Sequence, residues 1–492
     1  MPDTPHPLDH IFHPRSVAVV GVSGRQGGWG GGKLFVRALQ HMDFSGPIYP
    51  INPRVQEVRR LPCYPSLLEV PGPVDHVISS IPASGVLELM DAAAAKGVHS
   101  VHFFTAGFRE TGEEERIALE QEILRRARAA GIRIIGPNCM GLYCPAAKVA
   151  FNDESPKESG NVAFISQSGL NAEELITYAA LRGIRFSKVV SYGNAVDLDE
   201  SELLEYCAVD PETAIITTYI EGVDDGRRFL RALSAASAAK PTIVLKGGVT
   251  GAGSRAADSH TGSLAGSAQV WEATCRQAGA LTVRTLDELE DMAVAFAFLR
   301  RPAGRGVAIM GIGGGSSVLA ADAAEREGLS VPALSEDLQA QLRQFTPVAG
   351  TSVRNPLDTV GIGAREQFLE AVRIVASSPD IHLLLIQSRI DWQPRRGQDS
   401  TEFVEQSVEV LEEAAKVAGK PVVVVIWPPT SVETMARVLA FQDLCARAGL
   451  PVFWGVHRAL HAVSSFLDWH EARSYPDNGG ARAMDSLHPS SV

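Results

Sequence analysis

No run of apolar residues in this 492-residue sequence is long enough to cross a bilayer, which argues against an integral membrane protein. The opening residues, Met1-Pro2-Asp3-Thr4-Pro5-His6-Pro7, lack the basic and apolar regions of a secretory leader, so a cytoplasmic protein is expected. The six cysteines, Cys63, Cys139, Cys144, Cys207, Cys275 and Cys445, are scattered without a CxxC pair, so neither a disulfide framework nor a metal site is expected. Basic charge is in short supply. With 45 Lys and Arg against 57 Asp and Glu, the net charge of -12 argues against nucleic acid or an anionic membrane as partner. A Walker-type GxxxxGK[ST] loop is also missing. Apolar residues are plentiful, at 45% with 21% charged, which describes a globular chain. Its length suggests roughly three to four domains of ordinary size.

Valine- and isoleucine-rich runs alternate with helical patterns, the signature of doubly wound parallel sheets. Strands are expected at Ser16–Val20, Pro47–Ile51, Val74–Ile81, Val98–Phe104 and Ile132–Ile135, with helices such as Val86–Ala95 and Glu113–Ala130 between them. After the polar linker Asn152–Gly160 the rhythm restarts with Asn161–Ser166, Lys188–Ser191, Ala214–Tyr219 and Pro241–Leu245, closing on a helix at Leu286–Leu299. It restarts again after Arg301-Pro302-Ala303-Gly304 with Gly306–Met310, Ile381–Gln387, Pro421–Ile426 and Leu450–Trp454. The expected division is therefore 1–150, 155–300 and 303–473, followed by a mobile tail at 474–492.

The first strand runs into Gly21-Val22-Ser23-Gly24-Arg25-Gln26 and a further glycine-rich stretch before the helix Leu34–His41, so backbone amides and a helix N-terminus face any phosphate there. The dinucleotide pattern nevertheless fails. Ser23 and Gln26 stand where its second and third glycines belong, and Asn52-Pro53-Arg54 replaces the ribose-binding acid, which disfavours a nicotinamide-dependent oxidoreductase. Arg54 instead suits an extra ribose phosphate of the kind coenzyme A carries. Ser79-Ser80-Ile81-Pro82-Ala83, Phe104-Thr105-Ala106-Gly107-Phe108-Arg109 and Gly136-Pro137-Asn138-Cys139-Met140-Gly141 end neighbouring strands at the ligand-binding edge of such a sheet.

The stretch Lys246–Ser267 places His260 in what reads as a loop of small and hydroxylated residues. Glycine there adds no bulk and permits unusual dihedrals, so a phosphate can approach the backbone and the imidazole can travel. A histidine of ordinary pKa is substantially neutral near pH 7, leaving a ring nitrogen free to attack phosphorus. Ser166-Gln167-Ser168-Gly169 and Gly311-Ile312-Gly313-Gly314-Gly315-Ser316-Ser317 each follow a strand and open a helix, where amides and dipole favour an anion.

Taken together, Gly21-Val22-Ser23, Tyr49-Pro50-Ile51-Asn52-Pro53, Cys63-Tyr64-Pro65-Ser66, Thr105-Ala106-Gly107-Phe108 and Gly136-Pro137-Asn138 resemble the CoA-binding domain of the NDP-forming acyl-CoA synthetases. The resemblance covers about Asp9 to Leu467. It implies three α/β domains, a Rossmann-like CoA-binding domain followed by two flavodoxin-like CoA-ligase domains. It further implies that Ser259-His260-Thr261-Gly262 matches the family's phosphohistidine motif and that Glu221, in Tyr219-Ile220-Glu221-Gly222, orients the ring. The candidate phosphate contacts are then Ser166, Gln167, Ser168, Gly169, Gly313, Gly314, Gly315 and Ser316. The candidate coenzyme A contacts are Gly21, Ser23, Gly24, Gln26, Arg54, Ser80, Ile81, Pro82, Thr105, Ala106, Gly107 and Asn138.

The implied chemistry converts acyl-CoA and phosphate to acyl phosphate, moves the phosphoryl group to His260 and passes it to ADP or GDP, or runs in reverse to activate an acid. In the family an ATP-grasp domain holds the nucleotide, and none is found in this sequence. A separate ATP-grasp β subunit bringing ADP or ATP and Mg2+ is therefore expected, within a homo- or hetero-oligomer. The sequence also departs from its relatives, which carry Asn before the three glycines where this chain has Ile312. An amide donor lost near the phosphate would retune or weaken the site. The alternative is a non-catalytic CoA- or acyl-CoA-binding regulator on the same scaffold.

Overall fold

A computed structural model of the chain describes residues 6–23, 31–261, 267–311, 313–347, 351–360, 362, 364–390 and 400–474, with the backbone alone for 258–261. The first unit contains β1 (Val17–Val20), β2 (Ile48–Ile51), a short hairpin of β3 (Glu57–Val58) and β4 (Leu61–Pro62), β5 (His76–Ser79), β6 (Ser100–Phe103) and β7 (Arg133–Ile135). Its main sheet is parallel, in the order β2-β1-β5-β6-β7. Helices cover both faces of such a sheet, which is why its strands read as unbroken apolar runs: every residue of β1 is buried.

The second sheet is made of β8 (Gly141–Tyr143), β9 (Val162–Ser166), β10 (Phe186–Ser191), β11 (Ile215–Ile220), β12 (Thr242–Lys246) and β13 (Leu281–Val283), ordered β13-β12-β11-β9-β10-β8. The third holds β14 (Val307–Gly311), β15 (Leu357–Asp358), β16 (Leu383–Ser388), β17 (Val422–Ile426) and β18 (Val452–Trp454), all parallel, ordered β15-β14-β16-β17-β18. The architecture is thus three doubly wound α/β units.

Two features differ from the sequence reading. β8 lies before residue 150 yet pairs antiparallel with β10, so the second sheet takes its edge strand from the far side of the expected boundary. The stretch expected as a loop around His260 is helical over Gly251–Thr261. The hydroxyl of Thr250 accepts the N–H of Gly253 at 3.0 Å and so caps this helix, after which Ala252, Arg255, Ala256 and Ala257 are strong helix formers. Of the tail expected at 474–492, Ser474 ends the helix Val456–Ser474 and residues 475–492 lie outside the described residues.

The first two units are sewn together through their backbones. The N–H groups of Asn194, Val196 and Leu198 donate to the carbonyls of Pro137, Gly136 and Ile134 at 2.9, 3.0 and 3.2 Å. Arg133 reaches across to Asp197 at 2.8 Å and to both oxygens of Glu202 at 2.8 and 2.7 Å, a planar fork meeting two carboxylates. A third set of contacts joins the second and third units, where helix Leu286–Phe298 packs on helix Val456–Ser474 and Arg458 Nε donates to Asp291 at 2.6 Å.

Candidate functional site

In the first unit β1 lies between β2 and β5, and chain order reverses at the gap between β1 and β5. Open α/β sheets bind ligands at such a switch point. The backbones there approach as closely as they can. Gly21 has φ +93°, and a Cβ on it would sit 2.9 Å from the carbonyl carbon and Oγ of Ser80. Ser80 Oγ donates to the carbonyl of Val20 at 3.1 Å, and Thr105 Oγ1 donates to the carbonyl of Ile81 at 2.6 Å. The N–H of Asn138 donates to the carbonyl of Thr105 at 3.0 Å, with Asn138 itself in the left-handed region at φ +59°. Gly21, Ser80, Ile81, Thr105 and Asn138 therefore form one continuous rim.

Ala106 and Pro82 are exposed on this rim, and Gly107 has φ +99° with its N–H on Glu110 Oε1 at 2.6 Å. Arg54 is exposed, its turn set by Asn52, whose Oδ1 accepts the Arg54 N–H at 2.8 Å and whose Nδ2 donates to the Val22 carbonyl at 2.5 Å. Ser23 is exposed where the described segment ends, and Gly24 and Gln26 lie outside the described residues.

The second unit presents the ends of β9, β11 and β12 side by side. Ser168 caps helix Gly169–Leu181, its Oγ accepting from the N–H of Asn171 at 3.3 Å, while Ser166 Oγ accepts from the N–H of Ser168 at 3.2 Å. A side chain at Gly169 would meet Met140 Cγ at 2.7 Å, so this helix starts directly behind the Gly136–Gly141 turn of the first rim. Gln167 is 3% exposed and faces sideways rather than outwards: its Oε1 accepts the N–H groups of Glu221 and Gly222 at 2.7 and 3.2 Å.

Glu221 is 4% exposed and its Oε1 accepts the Tyr219 hydroxyl at 3.1 Å. Its carbonyl accepts from Lys246 Nζ at 2.6 Å. Tyr219 and Lys246 escaped the sequence reading, because nothing local marks a strand tyrosine or a strand-end lysine as part of a site. His260 belongs to helix Gly251–Thr261, but its side chain lies outside the described residues. That helix packs against the turn Arg109–Thr111 of the first unit. Arg109 pairs with Glu120 at 3.4 Å and Asp224 at 3.5 Å and donates to the Asn194 carbonyl, bridging the two units beside the helix.

In the third unit helix Gly314–Arg326 opens at Gly313, φ +102°, whose N–H donates to Asp358 Oδ1 at 3.3 Å. Ser316 Oγ donates back to the Gly313 carbonyl at 2.8 Å, while Gly314 and Gly315 are exposed with open space where side chains would be. Ile312, the departure from the family pattern, lies outside the described residues. Among the described residues no group of three or more His, Cys, Asp or Glu is placed to hold a metal ion, and no helix is long and apolar enough to cross a membrane.

Comparison with known proteins gives this geometry a family. Residues 15–145 match the CoA binding domain, 159–296 the succinyl-CoA ligase like flavodoxin domain and 307–449 the ligase-CoA domain. The chain is 38% identical over 415 residues to the alpha subunit of ADP-forming acetate–CoA ligase II of Pyrococcus furiosus, covering 84% of this chain and 89% of that one. It is 34% identical over 459 residues to ADP-forming acetate–CoA ligase I of Archaeoglobus fulgidus, covering 93% of this chain but 63% of that longer one. The solved acetyl-coenzyme A synthetase 1 of Candidatus Korarchaeum cryptofilum, in complex with phosphate and ADP, superposes with TM-score 0.79 at 33% identity, covering 95% of this chain and 97% of that one. The chain belongs to the family of ADP-forming acetate–CoA ligases and corresponds to their alpha subunit.

Proposed function

We propose that this chain is the CoA-binding, phosphohistidine-carrying subunit of an ADP-forming acyl-CoA synthetase. The observation that carries the proposal is the packing of helix Gly251–Thr261, which contains His260, against the Arg109–Thr111 turn of the first unit's ligand rim, with the Glu221 cluster in the same second unit. Coenzyme A sits on the first rim, with Arg54 toward its ribose phosphate and Gly21 and Ser80 against its backbone-hugging portion. Phosphate sits at the capped start of helix Gly169–Leu181, where unpaired N–H groups and the helix dipole favour an anion. Helix Gly314–Arg326 supplies a second such end from the third unit.

The cycle then balances in three displacements. A phosphate oxygen attacks the thioester carbonyl and expels the CoA thiolate, giving acyl phosphate. A neutral ring nitrogen of His260 attacks the phosphorus and releases the carboxylate, while Glu221 accepts the N–H of the other ring nitrogen and stabilises the developing positive charge. A β-phosphate oxygen of ADP takes the phosphoryl group from His260. The nucleotide and its Mg2+ are held by a partner subunit of the ATP-grasp type, and the complete enzyme works in the cytoplasm.

The test is acid-labile 32P labelling of the full chain by acetyl-CoA and labelled inorganic phosphate. Wild type takes up label at His260, and His260→Ala does not. Equal behaviour of the two would replace the enzyme with a CoA-binding regulator on the same scaffold. Incubation of this chain alone with labelled ATP gives no phosphohistidine, and strong self-labelling would remove the need for a partner.

A further inference from the structure

Lys246 is the last residue of β12 and is 9% exposed, a rare position for an ammonium group. Its Nζ donates to the carbonyl of Glu221 at 2.6 Å and to that of Gly247, and lies 5.3 Å from the centre of the Trp271 ring. Burial lowers its pKa from the ordinary lysine value, with the Glu221 charge pulling the other way. A buried cation is retained only where its partners repay the lost hydration. Here those partners are two carbonyls, a carboxylate-bearing residue and an aromatic face.

The arrangement grips one residue from three sides. Gln167 Oε1 accepts the N–H of Glu221, Lys246 Nζ binds its C=O, and the Tyr219 hydroxyl holds its carboxylate. The same ammonium spans the two flanks of the histidine-bearing segment, since Lys246 precedes it and Trp271 stands in the helix Ala268–Ala278 that follows it. Gly247 completes the fit: a Cβ there would meet the Tyr219 hydroxyl oxygen at 2.6 Å.

We infer that Lys246 is a positioning residue for phosphoryl transfer, fixing Glu221 through its backbone carbonyl while Trp271 covers the ammonium. This rests on the function proposed above, and acts through Glu221 rather than through contact with the phosphoryl group.

The test is a double-mutant cycle on the full-length chain, with His260 labelling by acetyl-CoA and 32P-phosphate as the readout. Lys246→Met and Glu221→Gln each slow labelling by roughly 10- to 100-fold, the range a misplaced catalytic group produces. The double variant is no slower than Glu221→Gln alone, because the lysine works through the carboxylate. Lys246→Met leaves the CoA dissociation constant within about twofold, and Lys246→Arg recovers part of the rate because it keeps the cation. Multiplying deficits in the double variant, or a Lys246→Met rate equal to wild type, overturns the inference. If Lys246→Met loses its circular dichroism signal and its CoA binding, Trp271→Leu enters the same cycle with the same criteria. Wild type that takes no label defeats the proposed function and this inference with it, whereas labelled wild type with multiplying deficits defeats this inference alone.

Discussion

Gln167 and Glu221 sit at the ends of adjacent strands and are joined by a single amide oxygen: Gln167 Oε1 accepts the Glu221 N–H at 2.7 Å and the Gly222 N–H at 3.2 Å. A side chain that reads in the sequence as a phosphate contact is thus the brace for the turn that carries Glu221. Gln167→Leu keeps the shape and removes the acceptor, leaving two buried N–H groups without that partner. Each such group costs about 1–3 kcal/mol, so phosphohistidine formation is expected to fall by about 10-fold or more. Single-turnover 32P labelling measures it. A Gln167→Leu chain that labels at the wild-type rate would show that the brace is dispensable.

Gly21 and Gly107 separate backbone strain from lack of space. Both have positive φ, +93° and +99°, but a Cβ on Gly21 meets Ser80 backbone at 2.9 Å while Gly107 has nothing within 4 Å. Gly107→Ala should cost about 1–2 kcal/mol, the left-handed penalty. Gly21→Ala adds a clash that backbone atoms cannot relieve, so it should melt at a lower temperature and lose more CoA affinity. Thermal melts and calorimetric CoA titration of the two variants check the ranking, and equal losses would remove the close approach from the account.

Thr250 caps the helix that contains His260. Thr250→Ala should destabilise that helix by about 1 kcal/mol and raise hydrogen exchange over its first turns. CoA binding should stay unchanged, since the first rim is built without it. Slower His260 labelling together with unaltered CoA affinity is the expected pattern; an affinity loss as large as the labelling loss would contradict it.

Glu200 is 4% exposed, and burial raises its pKa from 4.5 to about 8. Between those values the folded chain keeps a proton that the unfolded chain has released, so this residue subtracts stability progressively as pH rises from 4.5 to about 8. Glu200→Gln removes the titration. Its melting temperature should match wild type at about pH 4 and exceed it at about pH 9, with the gain levelling off above the folded pKa. A difference independent of pH would refute the assignment.

The long central strands were legible because a parallel sheet covered on both faces writes itself as unbroken Val and Ile, as in Val422–Ile426, buried at every position. Two short edge strands carry no such signal. Leu281–Val283 and Leu357–Asp358 are two or three residues long and are fixed by their neighbours alone. Helix Gly251–Thr261 was hidden by composition: its small residues show no apolar stripe, and Gly251 and Gly253 in its first turn read as loop. Gly21 and Ser80 could be named from motifs, yet their contact is a property of the folded rim. The role of Lys246, a strand residue, was hidden for a different reason: the ring that covers it, Trp271, arrives twenty-five residues later on a helix.

β8 carries a consequence for modular exchange. Because Gly141–Tyr143 closes the second sheet while preceding the linker Asn152–Gly160, the two units do not separate at that linker. A recombinant joined inside Asn152–Gly160 would replace this edge with a foreign strand and strip β10 of a matched neighbour, exposing unpaired backbone groups to any passing chain. A join just after Ile135 would keep β8 with β10, but would part Asn138 from the Thr105 carbonyl that receives its N–H and Ile134 from the Leu198 N–H that it receives. The first two units of this chain are therefore inherited together more safely than apart, and a chimera with a new acyl-CoA specificity is best built by exchanging them as a pair.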